Sequence, residues 1–387
     1  MINPQVSSLN KSTTLTITAL TKKLIREGKD VVNFAGGEPD FDTPLFIKEA
    51  AKAAIDKGFT KYTPSTGTVE LKEAIAAKLN RENNIKASAS SIIVTSGAKY
   101  SIFVAMFSLL APGDEVIIPS PYWVSYPEMV KLTLAKTVVL STKRSNDFKI
   151  DPAELEKAVT PKTKLLILNY PSNPTGVTYS REELEAILEV VKKNKIFVLS
   201  DEIYEALIYD RREHISFASL PEAFESTITI NGFSKTFSMT GWRIGYLVAD
   251  EKIINEASKI IDHTTSCASS VSQSAALAAL GDRDWQGQIR NKFQKRRDAI
   301  WEGLSAYREL KPIKPQGTFY LFCDIRGSGL SSFDFSTRLL ENFLTSCIPA
   351  DSFGQEGYVR FSFSTSLEQI AKGVQRVGEF LATLKNN

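Results

Sequence analysis

The chain has 387 residues, 43% hydrophobic, 24% charged and 10% aromatic, with a formal net charge of +3. Such a length can bury a large core over two domains, and so small a charge does not mark a nucleic-acid surface. Three widely spaced cysteines (Cys267, Cys323, Cys347) fit reduced thiols with neither a disulfide framework nor a zinc site, and two histidines (His214, His263) leave almost nothing for His-based metal sites or Ser-His-Asp catalysis.

The first residues, "MINPQVSSLNKSTTLTITALTKKL", lack the apolar core of a signal peptide. The most apolar segment, "IFVAMFSLLA" at 102–111, is too short to span a bilayer, so a cytoplasmic protein is expected. Short apolar runs then recur: "SIIVT" (91–95), "EVIIP" (115–119), "KLLILN" (164–169), "KIFVLS" (195–200), "STITI" (226–230) and "GYLVA" (245–249). Helix signals separate them. Asp151 with Pro152 and Glu154 is one start; Ser180 to Glu183 is a capping box, followed by Leu184, Ile187, Leu188 and Val191 on one face. Continuous apolar strands spaced by helices predict an α/β fold with a mostly parallel sheet buried on both faces. The last third differs. A charged helix is expected over about 284–309, "KPIKPQGTFYLFCDI" reads as turn then strand, "GYVRFSFST" as a strand, and an amphipathic helix starts at Ser366. This predicts a smaller α+β domain.

In a parallel sheet, the segments that follow the strands emerge at one edge, where ligands bind. That edge gathers "SGAK" (96–99), "SPYW" (120–123), "YPSNPTG" (170–176), "DEIY" (201–204) and "NGFSK" (231–235). Each member has a commoner structural role, since Asp caps helices, aromatics fill cores and lysines snorkel. Together they suggest one site. Lys235, held partly dry, is a candidate Schiff-base nucleophile. Gly97 and Ala98 at a helix start, with Arg243, suit a phosphate. Trp123 can stack on a planar ring, and Asp201 can hold a proton on a ring nitrogen. A phosphate, a protonatable ring and a Schiff-base lysine describe pyridoxal 5′-phosphate. Neither G-x-G-x-x-G after a strand nor G-x-x-x-x-G-K-[ST] occurs.

The motifs "GEPDFDTP" (37–44), "YTPSTG" (62–67), "SPYWVSYPEM" (120–129), "YPSNPTG" (170–176), "SDEIYE" (200–205), "SKTFSMTGWRIGY" (234–246) and "VRFSF" (359–363) extend the pattern over residues 12 to 380. In these the chain resembles fold-type I pyridoxal-phosphate aminotransferases of class I, in the aspartate aminotransferase group. The resemblance implies a large domain at 46–285, a small domain at 286–387, and an N-terminal arm with part of the small domain at 1–45. It implies that Lys235 carries the cofactor and shuttles the substrate proton, that Asp201 protonates the pyridine nitrogen, and that Asn173 and Tyr204 bond the ring's 3′-oxygen. Trp123 stacks on the ring. Gly97, Ala98, Ser234 and Arg243 hold the phosphate, and Tyr62 reaches it from the neighbouring subunit of a homodimer. Arg360 clamps the substrate α-carboxylate, and the Gly37 backbone lies over the substrate. One departure stands out: many relatives have Ser three residues before the lysine, where this chain has Gly232.

The expected reaction is ping-pong transamination, with aspartate and 2-oxoglutarate as the pair. Aromatic amino acids, alanine and prephenate are alternatives on the same fold, as are a lyase and a silent binding or regulatory protein. The intact Lys235, Asp201 and Arg360 argue against the last. Aspartate has a second carboxylate, and a buried anion needs a cation. Lys99 is the candidate, unless it faces solvent at its helix start, with the hydroxyls of Ser12 and Thr14 as helpers. A flexible lysine that can swing away also predicts that bulkier substrates are tolerated.

Overall fold

A computed structural model describes residues 2–9, 13–282 and 284–384. Its strands, in chain order, are β1 (Val32–Asn33), β2 (Ile92–Thr95), β3 (Glu115–Ser120), β4 (Lys136–Ser141), β5 (Thr163–Asn169), β6 (Phe197–Asp201), β7 (Thr227–Gly232), β8 (Gly245–Val248), β9 (Lys311–Pro312), β10 (Tyr320–Asp324), β11 (Thr345–Ser346), β12 (Ile348–Pro349) and β13 (Tyr358–Ser362). Seven of them form the central sheet in the order β2-β8-β7-β6-β5-β3-β4.

The apolar runs become strands because both faces of this sheet are covered. Ile93, Leu199, Ile228 and Leu247 pack with Ile102, Tyr126 and Ile254 on one side. Ile92, Val94, Tyr246 and Val248 face the other way, against Leu71 and Ile75. Leu166 and Val198 share that second side with Leu184, Ile187, Leu188 and Val191. Each fully buried leucine or isoleucine contributes about 1.5–3 kcal/mol. The helix Arg181–Asn194 starts with the capping box at Ser180 and Glu183, and Asp151 caps Pro152–Ala158 with Pro152 in the first turn.

The sheet is parallel except at β8, which runs antiparallel between β2 and β7. The run at 245–249 is therefore the strand that breaks the parallel pattern. This reversal matters for the site: β2, β5, β6 and β7 end at the edge where β8 begins, so the residues just before β8 arrive there too. The edge strand β4, with Val139 exposed, was not among the expected strands.

In the C-terminal third, β12-β13-β10-β9 form an antiparallel sheet. The helices Asp284–Ser305, Ser332–Phe343 and Leu367–Leu384 pack beside it through Phe293, Leu339, Ile370 and Phe380. The short β1 pairs in parallel with β11, tying the N-terminal segment to this part of the chain.

Candidate active site

Lys235 lies in the turns between β7 and β8, on a cleft of about 480 Å³. That volume suits a small organic ligand. Its Nζ donates to the Gly37 carbonyl at 2.6 Å, with the Tyr204 and Phe319 ring centroids 6.0 and 5.8 Å away. Protein surrounds the side chain while the amine opens on the cleft. Burial pushes its pKa down from 10.5 to about 8; Glu38 opposes this, Arg360 and Arg243 add to it, and Asp201 opposes it too. A Lys235 amine so placed is a better nucleophile at neutral pH than one in solvent.

Asp201 ends β6 and lines the same cleft, with only 4% of its surface exposed. No helix follows it, so it is not a helix cap; its Oδ1 accepts only a 3.3 Å bond from the Ile203 N–H. Its Oδ2 accepts a 2.6 Å bond from the Tyr126 hydroxyl. Burial raises its pKa to about 6, against the lowering pull of the Tyr126 and Ile203 hydrogen bonds. Tyr126 belongs to the helix Ser125–Leu132, and its ring meets Trp123 edge-on at 5.2 Å. It was missed in the sequence, although "WVSY" sets it three residues past Trp123.

The helix Ala98–Leu109 opens on the cleft with Gly97 at its N-cap, φ 96°. A Cβ on Gly97 would lie 2.5 Å from Arg243 Nη2. Only glycine accepts both that backbone and that approach. Arg243 sits two residues before β8 and donates to the carbonyls of Thr240 at 2.9 Å and Ser96 at 3.4 Å. Among the described residues it forms no ion pair. A free helix N-terminus beside such a guanidinium is a seat for an anion. Ser234 also lines the cleft. Gly232 offers no hydroxyl there, and a Cβ on it would come 2.9 Å from the Gly245 Cα.

Lys99, one residue into this helix, lines the cleft while remaining exposed to solvent, its Nζ 4.8 Å from the Trp123 ring centroid. Burial, then Arg243, lowers its pKa. Opposite, β13 carries Arg360, with 5% of its surface exposed. Its Nη1 donates to Asn173 Oδ1 at 2.8 Å, its Nη2 makes a long 3.5 Å bond to the Ala35 carbonyl, and its Nε is buried without a partner. A buried guanidinium with an unpartnered Nε and no ion pair among the described residues suits an incoming carboxylate. Tyr204 is buried too, its hydroxyl 3.1 Å from that of Tyr320.

The structure thus brings together Gly37, Ala98, Lys99, Trp123, Asn173, Asp201, Tyr204, Ser234, Lys235, Arg243 and Arg360, with Gly97 against Arg243. Tyr62 is not among them: it is 88% exposed and does not reach the cleft of its own chain. Ser12 lies outside the described residues, as does the side chain of Thr14 in the helix Thr13–Arg26. An anion seat, a flat indole, a buried carboxylate and a lysine on one cleft fit pyridoxal 5′-phosphate.

The family described as aminotransferase class I and II matches residues 29–377. An aspartate aminotransferase of Bacillus subtilis (strain 168) is 43% identical over 97% of this chain and 98% of its own. A bifunctional aspartate aminotransferase and glutamate/aspartate-prephenate aminotransferase of Petunia hybrida is 43% identical over 99% of this chain and 83% of its own. Among solved structures, the aspartate aminotransferase from Thermus thermophilus with maleate superposes with a TM-score of 0.94 at 38% identity, covering 98% of this chain and 99% of that one.

Proposed function

Because the chain belongs to the class I and II aminotransferases, which depend on pyridoxal phosphate, we propose that it moves the amino group of aspartate to 2-oxoglutarate in two half-reactions. The observation that carries the substrate choice is that, beyond Arg243 at the anion seat and Lys235 itself, the cleft holds two more cations with no ion pair among the described residues, Arg360 and Lys99. A dicarboxylate pairs with both; a monocarboxylate leaves Lys99 beside the indole without an anion.

Bound pyridoxal phosphate supplies an aldehyde that takes the amino group and a ring that draws electrons from the substrate Cα. The chain supplies the rest. With the cofactor bound, Gly97, Ala98, Ser234 and Arg243 would hold its phosphate, Trp123 would stack on its ring, and Asn173 and Tyr204 would hydrogen-bond its 3′-oxygen. Asp201 keeps a proton on the ring nitrogen, and the Tyr126 hydroxyl bond holds that carboxylate in place. Arg360 orients the α-carboxylate, Gly37 lies over the substrate, and Lys235 takes the proton from Cα and returns it. The depressed pKa of Lys235 leaves more neutral amine for this near pH 8.

The same reading has a homodimer in which Tyr62 completes the partner's phosphate seat. Its support is the exposure of Tyr62 together with that of nearby Phe59 and Val69. It takes residues 46–285 as the large domain, 286–387 as the small one and 1–45 as the arm. The support is that the seven-stranded sheet lies within 92–248 and the four-stranded one within 311–362. The three cysteines are unpaired, which suits the cytoplasm, and no helix among the described residues is long and apolar enough to cross a membrane.

Lys99 rests on an aromatic ring rather than on an acid, so it can swing aside. Dicarboxylic substrates are preferred and aromatic ones are accepted. The test is the ratio of kcat/KM for aspartate to that for phenylalanine. Lys99→Ala lowers the aspartate value by about 2–5 kcal/mol and spares phenylalanine and alanine. An unchanged ratio removes Lys99 from substrate binding, and the aspartate reading with it.

A further inference from the structure

Arg360 comes from β13 and Tyr204 from the turns that follow β6, yet one side chain touches both. Tyr320 opens β10, is 1% exposed, lines the cleft and pairs with Ser362 of β13. The Arg360 guanidinium carbon lies 4.1 Å from its ring centroid. Its hydroxyl lies 3.1 Å from that of Tyr204, whose ring it meets edge-on at 5.8 Å. No acid neutralises Arg360 among the described residues, so its face on the Tyr320 ring is a main electrostatic support. A cation over a ring counts for more in a desolvated site than at a surface.

The hydroxyl pair has a direction. A phenol has one hydrogen to give. If Tyr204 spends its hydrogen on a ligand in the cleft, the bond to Tyr320 requires Tyr320 to be the donor. The order is then Tyr320 O–H to Tyr204 O–H to ligand, and each bond polarises the next. We propose that Tyr320 is a positioning residue that serves both halves of the site, its ring holding the plane of Arg360 and its hydroxyl strengthening the bond that Tyr204 gives to the cofactor's 3′-oxygen. This rests on the roles given above to Arg360 and Tyr204. The charged groups acting on Tyr320 are Arg360 and Glu38, and Tyr204 is its hydroxyl partner.

The two halves separate by substitution in the cofactor-loaded dimer. Tyr320→Phe keeps the ring and removes the hydroxyl. Affinity for maleate, a dicarboxylate that cannot react, stays within about twofold, because the cation–ring contact survives. The pH midpoint of the bound cofactor's visible absorbance rises by about half a unit, because a weaker Tyr204 bond favours the ionised 3′-oxygen less. In a Tyr204→Phe background the same change adds no further shift, as expected for partners in one chain. Tyr320→Leu removes the ring face and weakens maleate binding about tenfold; Tyr320→Met serves if the leucine variant does not fold.

An unmoved midpoint in Tyr320→Phe, or a shift that persists without the Tyr204 hydroxyl, overturns the relay. Unchanged maleate affinity in the folded leucine or methionine variant overturns the support of Arg360. Arg360→Lys, run in parallel, tells the two levels apart. If it leaves maleate binding intact, the carboxylate reading itself falls; if it weakens binding while Tyr320→Leu does not, only the present inference falls.

Discussion

Asp201 and Glu202 are consecutive residues at the end of one strand, and their surroundings are opposites. Glu202 is fully buried and accepts bonds from Ser200 Oγ at 2.7 Å, Ser216 Oγ at 2.8 Å and the Phe217 N–H at 3.3 Å, with His214 Nε2 at 2.8 Å. Beyond it, Glu205 meets buried Lys78 and the Asn83 amide. Burial alone would raise the Glu205 pKa, but Lys78 and His214 more than offset this and leave it lowered. On the cleft side, burial wins and Asp201 rises to about 6. Lys235, Arg360 and Lys99 are all lowered there, again chiefly by burial. The contrast separates two uses of buried charge. Where partners are supplied, the cluster holds chain segments together; where they are withheld, it waits for a ligand.

The largest effect should come from the cleft. Lys235→Ala loses its general base, which lowers turnover by about 10²–10⁴-fold or more, since covalent activation goes too. Its fold should survive, as shown by an unchanged circular dichroism spectrum. Near-normal turnover would mean that the cleft's desolvated lysine is not its chemistry.

Next comes the paired side. Lys78→Met strands Glu205 in the interior and should cost about 3–5 kcal/mol in urea unfolding. Adding Glu205→Leu should restore much of it. A loss below about 1 kcal/mol would erase the distinction between the two faces.

The smallest effect has the opposite sign. Asp201→Asn in the cofactor-free protein removes a charge that the fold holds at a cost, and should add about 1–3 kcal/mol of stability at pH 7 to 8. The sign follows from the raised pKa. Between about 4 and 6 the native state binds more protons than the unfolded one, so wild-type stability falls as pH rises through this window. The advantage of Asp201→Asn should therefore fade as pH falls toward 4. Thermal midpoints of both proteins from pH 4 to 8 measure it, and an advantage independent of pH would assign the gain elsewhere. Turnover should fall all the same.

Much of this was legible in sequence because it depends on local order. The apolar runs predicted β2, β3, β5, β6, β7 and β8, and the rule that parallel strands end together gathered Lys235, Asp201, Asn173 and Trp123. What escaped depends on neighbours distant in the chain. β4 is half-exposed at the sheet's edge, so its apolar signal is weak. The reversal of β8 leaves no mark in "GYLVA", though it explains why Arg243 is delivered to the edge. Tyr126 and Tyr320 read as core aromatics, and burial is indeed where they lie; only their hydroxyl partners set them apart.

Three backbones meet where the anion seat is built. A Cβ on Gly245 would stand 2.4 Å from the Ala98 nitrogen and 2.9 Å from the Gly97 carbonyl carbon, and Gly245 in turn crowds Gly232. No side chain there can be trimmed to make room, so a methyl group must push one main chain off another. The junction is therefore fixed by main-chain packing whatever the substrate. In a saturation library selected on any substrate at all, position 245 should return only its own residue.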